Sequence, residues 1–565
     1  MNDKGPTLLW KRYQDSLAYT KRMKLKNIWD ECENFVEGKH WPLATARTRD
    51  LPRPVINLCN LIADNKKAGI LSTKVKLVYR PAQVFFDLEK ADEGADLFTK
   101  FVEIALKDLK QDDLDDKAQD DATQLGSYAY HYFWDSNVVG NVQSPYLGAL
   151  RGEIIEPQNI FFSNPMIQDE QKQSWIIIVS SEPVESIRQL AKQNGIKEWA
   201  NIKADYEIED ESFKDKEMCT VITQYSRKNG KVVWTKATKD VYVQEPTYWE
   251  PNLNKSIDED LDLEETKEPD NPKEDSSNIF ENQLYPIVFG IHKKRKRCIY
   301  GIGEVEQAIP NNRAVNFNLG MMLLSVQQTA WPKIIQKAGA LARQIITNTP
   351  GEIITDTTQQ PGVWGVKYLE SPGFNAQALT LTNTLMDLTR TTQGSTEVVT
   401  GEVLGANMAA SAIIALQNQA KKPIELYQKK FFRSYEKIGA ILLQFFKYYY
   451  NDGRMFVYET EDKREVGIMN GQAYSDFDYS VVVEAGSAGT FSESLSISLL
   501  DQLKQDGTID QDEYIELYPD SIMTFKAKLK QMRQKKKEEQ QLLALEQAQS
   551  QIPVSNNDIN PNMGL

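Results

Sequence analysis

The chain has 565 residues and a net charge of -14, from 66 lysines and arginines against 80 aspartates and glutamates. Such a length provides two or three compact domains with sizeable cores. The acidic balance excludes a protein built mainly to clamp nucleic acid, which carries a basic excess, but not one that lets a duplex slide past, because tight binding would stall it.

Thr7 to about Glu37 predicts one charged amphipathic helix, with Leu17, Ile28, Trp29 and Phe35 among its apolar positions. It runs into Phe35-Val-Glu-Gly-Lys-His-Trp41. In Leu51-Pro-Arg-Pro-Val-Ile-Asn57, two prolines enforce an extended approach to a helix from about Leu58. Another helix is predicted over about Asp92–Leu109. Asp115 to Gly126 leads into Ser127-Tyr-Ala-Tyr-His-Tyr-Phe-Trp134, which alternates like a strand.

The middle of the chain reads as β-rich. Strands are predicted over Ile154–Ser163, Ser174–Ser181, Met218–Ser226 and Lys231–Lys236. Asn229-Gly230 between the last two supplies the positive φ angles of a tight hairpin. Asp258 to Asp275 holds ten acidic residues, two lysines, two prolines and no aromatic residue, and reads as a solvated loop.

From Gly303 the pattern turns helical. Glu304 to about Thr329 places Val305, Ile309, Val315, Leu319, Leu323 and Val326 at helical spacing, up to the breaker Trp331-Pro332. Short strands and turns follow, marked by Pro350-Gly351, Pro361-Gly362 and Pro372-Gly373. A helix resumes after Asn375, a candidate N-cap, with Ala378, Leu381, Leu385 and Leu388 on one face. It stops in the polar stretch Gly394–Gly405. The strongest periodicity comes next, from Ile413 through Phe431 and Ile438 to Tyr449, with Pro423 inside it as a predicted kink. Strands are predicted over Met455–Glu459 and Tyr479–Glu484. Helices are predicted over Ser492–Asp506 and from about Tyr514 through Gln551, before a tail expected to be disordered.

Enzyme signatures are lacking. Gly301-Ile-Gly303 has Glu306 where a dinucleotide motif needs its third glycine, and no GxxxxGK[ST] phosphate loop occurs. His40, His131 and His292 lie in unrelated segments without ligand spacing, so neither a catalytic nor a metal role is expected, and no cofactor. Cys32, Cys59, Cys219 and Cys298 form no CxxC pair and read as reduced structural thiols. No apolar run reaches the roughly 20 residues that cross a bilayer, so no membrane partner is expected. The densest basic cluster, Lys293, Lys294, Arg295, Lys296 and Arg297, has two readings. It contacts DNA phosphates or an acidic partner, or it is a solvated strand end that offsets the acidic loop. The aromatic group Phe445–Tyr450, at helical spacing, reads as packing.

Several phrases, in this order, resemble the phage portal family, most closely the portals of short-tailed phages. These are the aromatic-x-x-Gly-x-x-Trp phrase Phe35–Trp41, the step Arg53-Pro-Val-Ile-Asn57, Gly126 with its aromatic strand, Glu156-Pro-Gln-Asn-Ile-Phe161, and Asp478–Gly486 followed by Ser492. The succession of helix, Pro/Gly-rich module, helix, loop and long helix is similar to a portal's stem, clip, stem, tunnel loop and central helix.

The resemblance implies an α+β portal fold with a mixed α/β wing, helical stem, small α/β clip, long kinked central helix and short helical C-terminal crown. The implied bounds are wing 1–302 with the acidic loop 258–275, stem 303–330, clip 331–374, stem 375–393, tunnel loop 394–410 and long helix 411–451. Wing strands 452–491, crown helices 492–551 and a disordered tail 552–565 complete them. It further implies a homo-oligomeric ring, a dodecamer, at one capsid vertex of the virion, made in the host cytoplasm, with double-stranded DNA in its channel. The implied partners are the terminase large subunit, a tail adaptor, and the major capsid and scaffolding proteins. Gly394, Glu397, Gly401, Glu402, Gly405 and Asn407 would face DNA, and Trp331, Glu352, Asp356, Trp364 and Lys367 would form the clip's docking surface. Two other readings stay open: an oligomeric intracellular scaffold assembled through its long helix without DNA, and an enzyme with an unrecognised site.

Overall fold

A computed structural model describes residues 5–83, 87–141, 144–207, 217–251, 283–330, 334–337, 357, 365–368, 376–395, 410–460, 463–485, 497, 500–507, 509–518, 526, 529, 532, 533, 535 and 536. The fold is mixed α+β. The chain divides into two compact units. One comprises Met1–Leu71, Leu77–Arg454 and Asn470–Val483, the other Ser72–Lys76, Met455–Met469 and Glu484–Leu565.

The N-terminal segment forms two helices, α1 (Pro6–Arg22) and α2 (Leu25–Val36), where the periodicity predicts one. Lys24 takes a left-handed conformation between them, φ 56°. The reason is that the two stripes are claimed by different partners. Trp10, Tyr13 and Leu17 pack against strand residues Phe161, Ile177 and Ile222. Leu25, Trp29, Cys32 and Phe35 are buried on α2, which packs on later helices. Helix α3 (Leu58–Leu71) starts where the prolines release the chain, and Asn57 Oδ1 accepts the Asn60 N–H at 3.0 Å to cap its first turn. Strand β1 (Val75–Gln83) and helices α4 (Leu88–Asp108) and α5 (Gln111–Gln124) follow.

Strands β2 (Ser127–Asn141) and β3 (Ser144–Ile155) form a long hairpin. The strand expected over Ile154–Ser163 is therefore two elements, the end of β3 and the short β4 (Ile160–Phe162). Glu156-Pro157 separates them, because proline removes a ladder donor. Beyond β5 (Trp175–Pro183), α6 (Val184–Gln193) and β6 (Tyr206–Glu207) come β7 (Glu217–Lys228), β8 (Lys231–Ala237) and β9 (Tyr242–Tyr248). Strands β4, β5, β7, β8 and β9 lie in that order in one antiparallel sheet, with β6 also paired to β7. At the β7–β8 turn Asn229 and Gly230 have φ of 51° and 78°, the left-handed pair the tight hairpin requires. One face of this sheet carries α1. The other carries α6, through Val184, Ile187 and Ala191 against Val221 and Val243. The acidic loop 258–275 lies outside the described residues. Strand β10 (Ile287–Ile291) then returns to pair with β2.

Helix α7 (Glu304–Ala330) matches its predicted span and continues through Pro310. Strands β11 (Ile334–Gln336) and β12 (Val366–Tyr368) pair antiparallel, and α8 (Ala376–Thr392) packs along α7. Helix α9 (Ala410–Tyr449) is a single 40-residue element that runs on through the exposed Pro423. Its second half is core: Phe431, Ile438, Leu442, Phe445 and Phe446 are all buried. The Phe445–Tyr450 aromatics pack as expected, Phe446 lying edge-on to Phe101 at 4.9 Å. Strands β13 (Arg454–Thr460) and β14 (Lys463–Met469) pair together, and β15 (Asp478–Ala485) pairs with β1.

Near the C-terminus, α10 (Gln511–Leu517) opens on a capping box, Asp510 with Glu513. The helix expected from about Tyr514 through Gln551 is interrupted at Tyr518, which is extended at ψ 137°. Pro519 follows it in sequence, and a residue before proline is forced out of the helical region.

Candidate functional site

The start of α7 is a junction of backbones. A Cβ built on Gly301 would lie 2.2 Å from the Gly126 carbonyl oxygen, and one on Gly303 2.5 Å from that of Gln124. Gly126 itself has φ +92°. These glycines serve close approach of two chain segments, which is why the Gly-x-Gly pair exists without a dinucleotide motif.

At this junction the basic run divides. Lys293 Nζ donates to Glu304 Oε2 at 2.8 Å and to Gln307 at 2.7 Å. Arg295 pairs with Glu306 at 2.6 Å. Lys294, Lys296 and Arg297 are exposed. Two of the five cations are therefore spent on holding α7's first turn, where carboxylates are favoured by the helix dipole. Glu304 is fully buried. Burial works against its charge, but hydrogen bonds from His292 (2.9 Å) and Lys293 overcome it and hold the carboxyl down at about 2. His292, lowered from the usual histidine range by burial, stacks on Tyr427 of α9 at 4.2 Å. Lys66 of α3 and Lys430 of α9 lie over the same Tyr427 ring at 5.1 and 5.2 Å.

Along α7 the environment changes. Val305, Ile309 and Val315 are buried, whereas Phe317, Met321, Leu323 and Val326 are about half exposed. On α8, Thr382 and Thr389 are buried and Leu379, Leu381 and Leu388 are exposed. Of the four residues expected on one face, Leu381 and Leu388 are exposed while Ala378 and Leu385 are half-buried. The buried threonines satisfy themselves by donating to Ala378 and Leu385 carbonyls at 2.8 and 2.6 Å.

Of the expected loop residues, Gly394 belongs to the cap of α8, with φ 66°. It sits close to Lys66 and Pro423, and Asn65 Nδ2 donates to the neighbouring Ser395 Oγ at 2.9 Å. Gly394 is therefore anchored rather than hanging free. Glu397, Gly401, Glu402, Gly405 and Asn407 lie outside the described residues. So do Trp331, Glu352, Asp356 and Trp364, while Lys367 is exposed on β12 opposite Ile335.

Sequence reasoning missed the residues that join the N-terminal phrases to α7. Buried Asn312 and Asn316 lie one turn apart. Their Oδ1 atoms accept the Leu58 and Ile56 N–H groups at 2.8 and 2.9 Å. Asn316 Nδ2 donates to His40 Nδ1 at 2.7 Å, and His40 Nε2 donates to the Phe35 carbonyl at 2.8 Å. The available signal was two asparagines at i and i+4 within an apolar helix. The three histidines remain apart, each with its own partners. Among the described residues, no group of histidine, cysteine and carboxylate side chains has a metal-binding arrangement, and no helix is long and apolar enough to cross a membrane. The four cysteines are buried and unbridged. No protein-family profile and no curated protein sequence matches the chain.

Proposed function

We propose that this chain is a portal subunit, one copy of a ring that conducts double-stranded DNA through a capsid vertex. The observation that carries the reading is the outer half of the α7–α8 pair. Phe317, Met321, Leu323, Val326, Leu379, Leu381 and Leu388 are exposed on two adjacent helices. Contiguous exposed apolar surface marks an association site. Head-to-tail association of identical chains covers such a face with a different face of the neighbour, and closes into a ring when the rotation permits. The described elements run in the order helix, a pair of strands, helix and 40-residue helix, which supports the stem, clip and central-helix order that the resemblance implies.

In this reading α7 and α8 are the stem, the segment between them the clip that receives the terminase motor and later a tail adaptor, and Pro423 the bend of the central helix. Glu397 and Glu402 belong to a weakly acidic loop beside the duplex. A chain of net charge -14 repels phosphate, so DNA meets no deep electrostatic well. The exposed Lys294, Lys296 and Arg297 are the remaining candidates for local phosphate or partner contacts.

Native mass spectrometry and electron-microscopy class averages of the purified chain test this. The expected species is a closed ring near twelve times 64.5 kDa, with a pore wider than a duplex. A folded monomer or dimer at micromolar concentration overturns it, and a closed assembly without a pore favours the scaffold reading.

A further inference from the structure

A cleft of about 630 Å³ lies between the β2–β3 hairpin and the β5–β7–β8 part of the large sheet. That is within the usual size of a small-ligand site. Sheet register builds it. Tyr225 of β7 and Trp234 of β8 are cross-strand partners, and so are Thr223 and Lys236, so these four side chains share one face. On the hairpin, strand alternation sends Tyr130 and Tyr132 to Asp115 and Gln111 of α5, leaving His131 and Phe133 for the cleft. Trp249 and Tyr449 close one end, edge to face at 5.3 Å.

The polar groups have a definite arrangement. His131 Nδ1 lies 2.8 Å from Glu153 Oε1, and its Nε2 lies 2.7 Å from the Tyr225 hydroxyl. Both imidazole nitrogens of His131 therefore have a partner, Glu153 on one side and Tyr225 on the other. Burial opposes the Glu153 charge, but His131 and Lys236 hold its pKa below the ordinary value. Lys236 Nζ is bound to Glu182 at 2.9 Å, and Ser180 donates to the same Glu182 oxygen at 2.9 Å. Glu156 is exposed at the rim, where its carboxylate accepts from Asn159 Nδ2 at 3.3 Å. The cleft thus carries three carboxylates against one ammonium, among aromatic walls.

We propose that this cleft binds a guanidinium group, its plane against the aromatic wall and its N–H donors on Glu153 and Glu156. Aromatic faces attract a cation through their quadrupole, and a carboxylate matches the guanidinium fork. The chain already holds one guanidinium by the same means. Arg454 lies over Tyr146, Tyr450 and Trp134 at 4.4, 4.7 and 5.2 Å, with its Nε on Asp452 at 2.9 Å.

Trp134, Trp234 and Trp249 line the cleft, so tryptophan emission of the full chain reports on it. The probes are N-acetyl-arginine N-methylamide, free arginine, agmatine, and the neutral isostere N-acetyl-citrulline N-methylamide. The expected result is a saturable change with a guanidinium probe and about tenfold weaker binding of the citrulline derivative. Glu156→Gln, at a rim position, is expected to weaken binding several-fold with unchanged thermal unfolding, and Glu153→Gln to weaken it more. Preference for the blocked arginine assigns the site to an arginine of a polypeptide. Preference for agmatine or free arginine assigns it to a small metabolite. No saturable change up to roughly 10 mM, equal binding of the citrulline derivative, or wild-type binding in both glutamate variants overturns the proposal.

Discussion

The two halves of α7 have opposite surroundings, and the half that is richer in apolar residues is the more exposed. From Glu304 to Asn316 the helix is covered by α2, α3 and α5, and even its polar groups, Glu304, Asn312 and Asn316, are buried and paired. From Phe317 to Ala330 it has α8 beside it, and four large apolar side chains remain about half exposed. The lesson is that a periodic stripe states that a face will be covered without naming the cover. In the first half the same chain supplies it, and polar side chains read backbone groups of the incoming segment. In the second half those side chains stay exposed among the described residues, and they are what the proposed assembly would cover.

The largest expected effect lies at the covered end. Gly301→Ala places a methyl against the Gly126 carbonyl, a backbone atom that cannot rotate away. The variant is expected to lose about 3 kcal/mol of stability, the upper range for overpacking. Urea unfolding checks it, and a loss under about 1 kcal/mol would mean that this junction yields more easily than the surrounding packing implies.

A smaller effect concerns α5, which covers the same half. Burial, then the neighbouring carboxylates Glu156, Asp120 and Glu33, push the Asp121 carboxyl up to about 7. Its unfolded value is near 3.9, so the folded protein keeps a proton that the unfolded chain releases. Stability from this group is therefore full below about pH 4 and is lost as pH rises through about 7. Asp121→Asn is expected to be about 1–3 kcal/mol more stable than the parent at pH 8, with the two converging near pH 4. Melting curves across that range decide it, and a constant difference would place the cause elsewhere.

The smallest effect on the subunit is expected at the uncovered end. Val326→Ser with Leu381→Ser removes exposed apolar groups, so subunit stability is expected to change by no more than about 0.5 kcal/mol per substitution. Association, read by analytical ultracentrifugation, should weaken at least tenfold if this face is shared between copies. Unchanged association would move the interface to another surface.

The sequence alone determined the long periodic helices and the Asn229-Gly230 hairpin. Glu304–Ala330, Ala376–Thr392 and Ala410–Tyr449 lie within a residue or two of their expected bounds. Helical periodicity, caps and positive-φ turn residues are properties of neighbouring residues, and so they are legible locally. Tertiary structure decided what depends on residues far apart in the chain. The break at Lys24 arises because α1 and α2 have different partners. Two lysine-run cations became helix-start clamps because Glu304 and Glu306 were brought to them. Leu381 and Leu388 are exposed because threonines with self-satisfied hydroxyls took the inner face of α8. His131 gained Tyr225, 94 positions away, and with it a wall of the aromatic cleft. Periodicity fixes which residues share a face, but the free energy of burying that face depends on the shape and polarity of what meets it, and that is set only when distant segments pack.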